Sequence, residues 1–262
     1  MLSERRHQLI LRELRANGPV SAATLAETLN VSTATIRRDL VHLDAQGLLS
    51  RVYGGAAPVA DHDDPFVEVA AVRVDQKDAI AVRASRLVED GQTVLLDIGT
   101  TAHRLARQLR GRSLNVITSS MAVFEELADD PGIQLLLLGG VLRREYRSVV
   151  GFLTEDNLRQ VHADLLFLGT SGVRPDGRVM DTTVIEVPVK RAMIAASDQV
   201  ILLADTAKFP GRGIASVCGP GDLDMLVTDA PAEPHTAARL REAGVTVIEA
   251  WPGRQSRAGP PG

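Results

Sequence analysis

The chain carries a single cysteine, Cys218, in 262 residues. That excludes an internal disulfide and any multi-cysteine metal site, and Cys218 reads as a buried or incidental thiol. Aromatic side chains are scarce, at 3%, so the core must be built from Leu, Val, Ile and Ala. No apolar run is long: the most apolar stretch, Ile133 to Leu138, is far too short to cross a bilayer. The start, MLSERRHQLI, is charged at once, which argues against a signal peptide. A cytoplasmic protein with no membrane partner is expected. There is no G-x-G-x-x-G fingerprint and no P-loop lysine, which disfavours a dinucleotide or ATP. No cofactor, metal or catalytic residue is expected. Charge of one sign is also lacking, since the net value is only −4. The balance is nevertheless uneven: residues 1–57 carry seven Lys/Arg against five Asp/Glu, and the remainder carries 22 against 28. A mildly basic head on an acidic body is compatible with a small DNA-reading module.

At 262 residues, one large domain or two unequal ones are expected. The first sixty residues read as three short helices and a hairpin. Leu9, Ile10 and Leu14 form an inward stripe on the first helix, which Asn17, Gly18 and Pro19 end. Ser21 caps a second helix, with Leu25, Ala26 and Leu29 inside, and Ser32 caps a third. On that third helix Ile36, Leu40 and Leu43 fall at i, i+4 and i+7 and define the buried face. Ala34, Arg38 and Val41 lie roughly opposite, flanked by Thr33, Thr35 and Arg37. Small residues let such a helix enter a major groove, while arginine forks reach guanine edges or phosphates. Asp39 is placed to orient an arginine. Gly47 is the expected C-cap. Leu48 to Ala56 then suits a hairpin turning on Gly54-Gly55, a wing from which Arg51 and Tyr53 would touch the DNA backbone. The candidate DNA contacts are Ser32, Thr33, Ala34, Thr35, Arg37, Arg38, Arg51 and Tyr53.

Residues 58–74, with the acidic, proline-bearing PVADHDDP, read as an extended, partly exposed linker. A helical pattern from Gln76 to Val88 opens the second domain, 75–252. Continuous apolar runs then alternate with helical patterns: strands at Thr93–Leu96, Leu114–Ile117, Ile133–Leu138, Leu165–Leu168, Val200–Ala204, Leu226–Thr228 and Val245–Ile248. That alternation predicts a parallel sheet covered on both faces. Ligands of such sheets sit outside the carboxyl ends of the strands. Those ends supply Asp97, Gly99, Thr100, Thr101, Ser119, Ser120, Gly139, Gly140, Gly169, Ser171, Asp205 and Lys208. Glycines let backbone N–H groups approach an anion, hydroxyls add donors, and the helix after Thr101 adds its positive end. A phosphate-sized anion pocket follows. Glu186 and Lys190 flank Pro188, which fits the first turn of another helix. They are either a helix-start carboxylate and a solvated lysine, or a pair gripping sugar hydroxyls in the pocket. The tail from Gly253, GRQSRAGPPG, is expected to be disordered.

The stretches ERRHQLILREL and LAETLNVSTATIRRDLVHLDAQGLLSRVYGGA resemble the winged helix-turn-helix of the DeoR/GlpR transcriptional regulators. The likeness continues over about residues 1–250 through LDIGTTAHRLA, VITSS, LLLLGGVLRRE, DLLFLGTSGV, IEVPVKRAMI and LLADTAKF. It implies an α/β chain: an N-terminal winged helix-turn-helix, residues 1–57, joined to a larger Rossmann-like parallel-sheet sensor domain, similar in fold to ribose-5-phosphate isomerases and CoA-transferases. It also implies a repressor of a sugar operon that binds double-stranded operator DNA and a phosphorylated sugar effector. Asp97, Thr100, Thr101, Ser119, Glu186, Lys190 and Lys208 would be effector contacts. The family often has Asn where Ser119 stands and Ser where Ala207 stands. A homo-oligomer, dimer or tetramer, is expected because one small head makes too few base contacts. The alternative is a sugar-phosphate isomerase in which Asp97, Glu186 and Lys190 act as acid, base and charge stabiliser. The complete DNA-reading head speaks against it.

Overall fold

The structure, a computed structural model, describes residues 3–17, 19–45, 49–52, 54–57, 65–211 and 213–250. It divides into two compact units, Met1–His62 and Asp63–Gly262. Gly18, Gly47, Leu48, Tyr53, residues 58–64 of the expected linker and the tail from Gly253 lie outside the described residues.

The first unit runs α1 (Ser3–Asn17), β1 (Val20–Ser21), α2 (Ala22–Leu29), α3 (Thr33–Ala45), β2 (Ser50–Val52) and β3 (Gly55–Ala57). Its core gathers Ile10 and Leu14 from α1, Leu25 from α2, and Ile36, Leu40 and Leu43 from α3. The 3.6-residue period thus places the stripes where the sequence puts them, except that on α1 Leu11 and not Leu9 packs against this core. Ser21 Oγ accepts the Thr24 N–H at 3.0 Å and starts α2. Asn30, with φ 51°, ends that helix in the left-handed conformation that asparagine tolerates. Ser32 Oγ accepts the Thr35 N–H at 3.1 Å and starts α3. The hairpin is present, but it is one part of a three-stranded sheet of order β1-β3-β2. The turn glycine is Gly54, at φ +80°, while Gly55 belongs to β3. Gly55 is needed for a different reason: a Cβ there would lie 2.2 Å from the Val20 carbonyl oxygen of β1.

The second unit begins earlier than the sequence suggests. The expected linker is helical from α4 (Phe66–Ala70), not extended. Phe66 is buried and its N–H donates to the Glu145 carbonyl, so one aromatic anchors the segment to the body. Then follow α5 (Val74–Ser85), β4 (Thr93–Leu96), α6 (Thr100–Leu109), β5 (Leu114–Thr118), α7 (Met121–Leu127) and β6 (Ile133–Leu137). A hairpin of β7 (Val141–Arg143) and β8 (Ser148–Val150) leads to α8 (Phe152–Leu158) and β9 (Ala163–Gly169). After β10 (Gly172–Val173) and β11 (Val179–Asp181) come α9 (Val187–Ala195), β12 (Ser197–Leu203) and β13 (Ala215–Cys218). The unit ends with β14 (Met225–Thr228), α10 (Pro234–Glu242) and β15 (Thr246–Glu249).

Seven strands pair in the order β15-β14-β12-β9-β4-β5-β6, and every pair is parallel. Side chains alternate between the two faces. Leu95, Ile117, Leu166 and Leu168 join one apolar cluster, while Val94, Leu96, Leu165 and Phe167 join the other. Both faces are therefore covered, as continuous apolar strands require. The chain enters the sheet at its centre, runs β4-β5-β6 to one edge, then returns with β9 on the other side of β4. The switch point lies between β4 and β9, and there the connections leave in opposite directions and open a crevice.

Candidate functional site

In the first unit, α3 carries the candidate surface. Ile36 is fully buried, whereas Ala34, Arg37, Arg38 and Val41 are exposed and Thr33 and Thr35 are half-buried. Among the described residues no ion pair engages Arg37 or Arg38, so both guanidinium groups face solvent with their donors available. Asp39 does orient an arginine, but from another helix. Arg6 Nε donates to its Oδ2 at 2.6 Å, Arg6 Nη2 to its Oδ1 at 2.9 Å, and His7 Nε2 lies 2.9 Å from Oδ1. Burial pushes the Asp39 carboxyl upward, but the hydrogen bonds from Arg6 and His7 outweigh it and hold the group below the usual carboxylate range. The inner face of α3 is thus pinned to α1. Ser32 caps the helix with its side chain exposed, and Arg51 is exposed on β2, its N–H donating to Asp44 Oδ1 at 3.2 Å.

In the second unit a cavity of about 220 Å³ opens at the switch point. After β4 it is lined by Gly99, Thr100 and Thr101, and after β9 by Gly169, Thr170 and Ser171. Lys190, Asp205 and Lys208 complete the predicted part of the lining. Gly99 sits at φ +114°, a conformation open to glycine, and α6 begins after it with no side chain capping its first N–H groups. Those free donors and the positive helix end favour an anion. Lys190 is buried on α9. Its Nζ donates to Asp97 Oδ2 at 2.5 Å and to the Gly169 carbonyl at 3.2 Å, and lies 3.6 Å from Asp181 Oδ2. Burial alone would strip its proton, but the carboxylates of Asp97 and Asp181 outweigh that and keep the ammonium charged above the ordinary lysine range. Asp97 lies beneath the lining and also accepts the Gly169 N–H at 2.8 Å. It therefore ties the loop after β9 to the end of β4.

The structure leaves six predicted residues out of this lining: Asp97, which lies beneath it, and five others. Ser119 is wholly buried, and its hydroxyl has no partner among the described residues. Ser120 Oγ accepts the Val123 N–H at 3.3 Å and serves as the cap of α7. Gly139 and Gly140 lead into the β7–β8 hairpin. A Cβ on Gly140 would lie 2.2 Å from Thr154 Oγ1, so close packing of α8 explains that glycine. Glu186 is buried away from the cavity, ion-paired with Arg143 and accepting the Ser148 hydroxyl at 2.7 Å. Burial pushes its carboxyl above the usual range against those partners. Neither reading of Glu186 and Lys190 holds whole: Lys190 is buried, not solvated, and of the two only Lys190 lines the cavity. Sequence reasoning missed Val69, Lys77, Tyr146, Thr170, Asp181 and Thr182, which also line it. Thr170 stands inside the GTSG that the strand-end rule flags. Lys77 and Tyr146 belong to no strand end and carry no such signal.

A small DNA-reading unit followed by a separate α/β unit with a metabolite-sized cavity is the build of a ligand-responsive transcriptional regulator. The DeoR-like helix-turn-helix domain matches residues 6–61 and the DeoR C terminal sensor domain matches residues 72–230. The glycerol-3-phosphate regulon repressor of Escherichia coli (strain K12) is 34% identical over 233 residues, covering 88% of this chain and 92% of that protein. The HTH-type transcriptional regulator GolR of Listeria innocua is 31% identical over 245 residues, covering 92% and 96%. Ribose 5-phosphate isomerase A from Methanocaldococcus jannaschii aligns over 52% of this chain and 54% of that one at 17% identity, with a TM-score of 0.39, too distant to bear on function. The chain belongs to the DeoR family of transcriptional regulators. It stands among regulators of transcription, not among enzymes. Among the described residues no helix is long and apolar enough to cross a membrane.

Proposed function

We propose that the chain is a cytoplasmic repressor of a carbohydrate-metabolism operon. As part of a symmetric homo-oligomer it binds operator DNA through Ser32, Thr33, Ala34, Thr35, Arg37, Arg38 and Arg51. A phosphorylated sugar in the second unit weakens that binding. Its contacts are Gly99, Thr100, Thr101, Gly169, Ser171, Lys190, Asp205 and Lys208, with Asp97 positioning Lys190. The observation that carries the reading is the uncapped start of α6 opening, beside lysines, into a small cavity at the switch point. A volume of about 220 Å³ suits a small metabolite better than a dinucleotide. A relative whose name makes it the repressor of a glycerol-3-phosphate regulon supports a phosphorylated effector. The isomerase alternative loses the carboxylate it needs as its base, since Glu186 does not line the cavity and is committed to Arg143 and Ser148.

The test is a gel shift with the duplex upstream of the protein's own gene, at 50 and 200 mM salt (about the range over which phosphate contacts are exposed). Sugar phosphates are then added singly. Retention above random duplex, altered by at least one sugar phosphate about 5–150-fold, is expected for a coupling of about 1–3 kcal/mol. Equal retention of random and upstream duplex would refute the regulator reading.

A further inference from the structure

Among the described residues three lysines line the cavity: Lys77, Lys190 and Lys208. Lys190 is matched by two carboxylates. Lys77, on α5, is different. It is 5% exposed, and its Nζ donates to a neutral acceptor, the Val69 carbonyl, at 2.6 Å. Among the described residues it forms no ion pair. The charged groups that face it are one carboxylate, Asp205, and three cations, Lys208, Arg104 and Arg73. Asp205 is already held by Arg73 at 2.7 Å, and Arg73 also reaches Asp229 at 3.0 Å. Arg104 is held by Asp78 at 2.6 Å. Lys77 and Lys208 are thus left over as cations at the cavity wall. An ammonium has three donors, and a single carbonyl occupies one of them. Burial first, then the neighbouring cations, push the Lys77 ammonium down to about 8.

We propose that Lys77 grips the anionic group of the effector, and that its ammonium, shared with the Val69 carbonyl, carries the arrival of that anion to α4. The proposal rests on the sugar-phosphate reading above and extends it. Val69 itself lines the cavity, and Phe66 of the same helix packs edge-on against Tyr146, another lining residue, with ring centroids 6.1 Å apart. Arg104 donates to the Ala70 carbonyl at 3.1 Å. α4 is the first described element after the DNA-reading unit in the chain, and these contacts make it a wall of the cavity. A phosphate monoester dianion beside Lys77 supplies the charge that the cation cluster lacks. Binding therefore stabilises the protonated lysine, and above pH 8 the complex takes a proton from solvent.

The experiment is calorimetric titration of the full chain with sn-glycerol 3-phosphate, ribose 5-phosphate and inorganic phosphate. It is run at pH 7.0 and 9.0, and at pH 8.5 in buffers of different ionisation enthalpy. For the wild type, the tightest probe should bind several-fold more weakly at pH 9.0 and should take up a proton at pH 8.5. Lys77→Met should lose about tenfold or more at pH 7.0, as expected for a charge-assisted hydrogen bond, and should lose the pH dependence. Lys77→Arg should bind equally at both pH values, because the guanidinium stays charged. A role limited to capping α4 would lower the melting temperature of Lys77→Met while leaving affinity and proton uptake unchanged, and that result overturns the proposal. Absence of proton uptake by the wild type overturns it without any variant. Failure of the wild type to bind every probe overturns the effector reading itself.

Discussion

Asp97→Asn removes one charge and almost no volume, so it isolates the electrostatic bond beneath the cavity. Lys190 Nζ is 2.5 Å from Asp97 Oδ2 and its side chain is 4% exposed. Removing one partner of a buried pair costs about 3–5 kcal/mol, because the other charge stays buried and uncompensated. Here Asp181 remains at 3.6 Å and the Gly169 carbonyl at 3.2 Å, which places the loss near the lower end, about 3 kcal/mol. The asparagine oxygen can still accept the Gly169 N–H, so that bond is not part of the loss. For a unit of about 200 residues, each 1 kcal/mol shifts the melting temperature by about 2–4 °C, giving a fall of about 6–12 °C. Scanning calorimetry of the full chain, following the larger transition, reads it. The double change Asp97→Asn with Lys190→Met should lose less than the two single effects added, since Asp97→Asn relieves one of the two carboxylates that Lys190→Met leaves without an ammonium, while Asp181 stays uncompensated. A fall below 2 °C for the single change, or a double variant as unstable as the two single effects added, would refute the claim that this pair bears the charge balance of the site.

The head offers its own tests. Arg38→Ala should strongly weaken operator binding and Arg37→Ala should weaken it, with the salt slope falling by about one where a phosphate contact is lost; unchanged anisotropy titrations for both would mean that another face reads DNA. Asp39→Asn should cost the head about 2 kcal/mol by breaking its bonds to Arg6 and His7. The same carboxyl sets an acid limb. Its folded pKa lies below the ordinary value near 3.9, so its contribution is full above about pH 4 and is lost as pH falls through the folded pKa. Urea midpoints between pH 2 and 6 should therefore decline more steeply in the wild type than in Asp39→Asn. Gly55→Ala should destabilise the head by about 1–3 kcal/mol or more, because its Cβ meets the Val20 carbonyl at 2.2 Å; a melting curve matching the wild type would show that β1 does not pair as described.

What the sequence discloses follows from how local each signal is. The buried stripe of α3 and its Ser32 cap are encoded within a dozen neighbouring residues, and periodicity reads them directly. Strands such as β4, β5 and β9 are buried on both faces, so their apolar runs stand out without any knowledge of their partners. β1, two residues long, exists only because Val20 and Ser21 pair with Ala56 and Gly55. The β7–β8 hairpin and the small sheet of order β10-β11-β13 are likewise made by pairing between short, unpatterned stretches. α4 hides in an acidic, proline-bearing segment, and Phe66 is its single strong anchor. In the site, the strand-end rule finds Gly99, Thr100, Thr101, Gly169 and Ser171, because topology alone sends them to the switch point. The same rule brings in Ser119, Ser120, Gly139 and Gly140, which follow strands farther from that point; there Ser120 caps α7 and Gly140 allows close packing of α8. Lys77 reaches the cavity from a helix face, and no local pattern marks it.

The most direct measurement is a fluorescence anisotropy titration of the protein–operator complex with the active sugar phosphate, for the wild type and for Thr101→Val. Both proteins should bind the duplex equally without ligand, and the variant should need at least tenfold more ligand to release it. Release of DNA from Thr101→Val at the wild-type ligand concentration would contradict the account, because the cavity at the start of α6 would then not be where the effector is sensed.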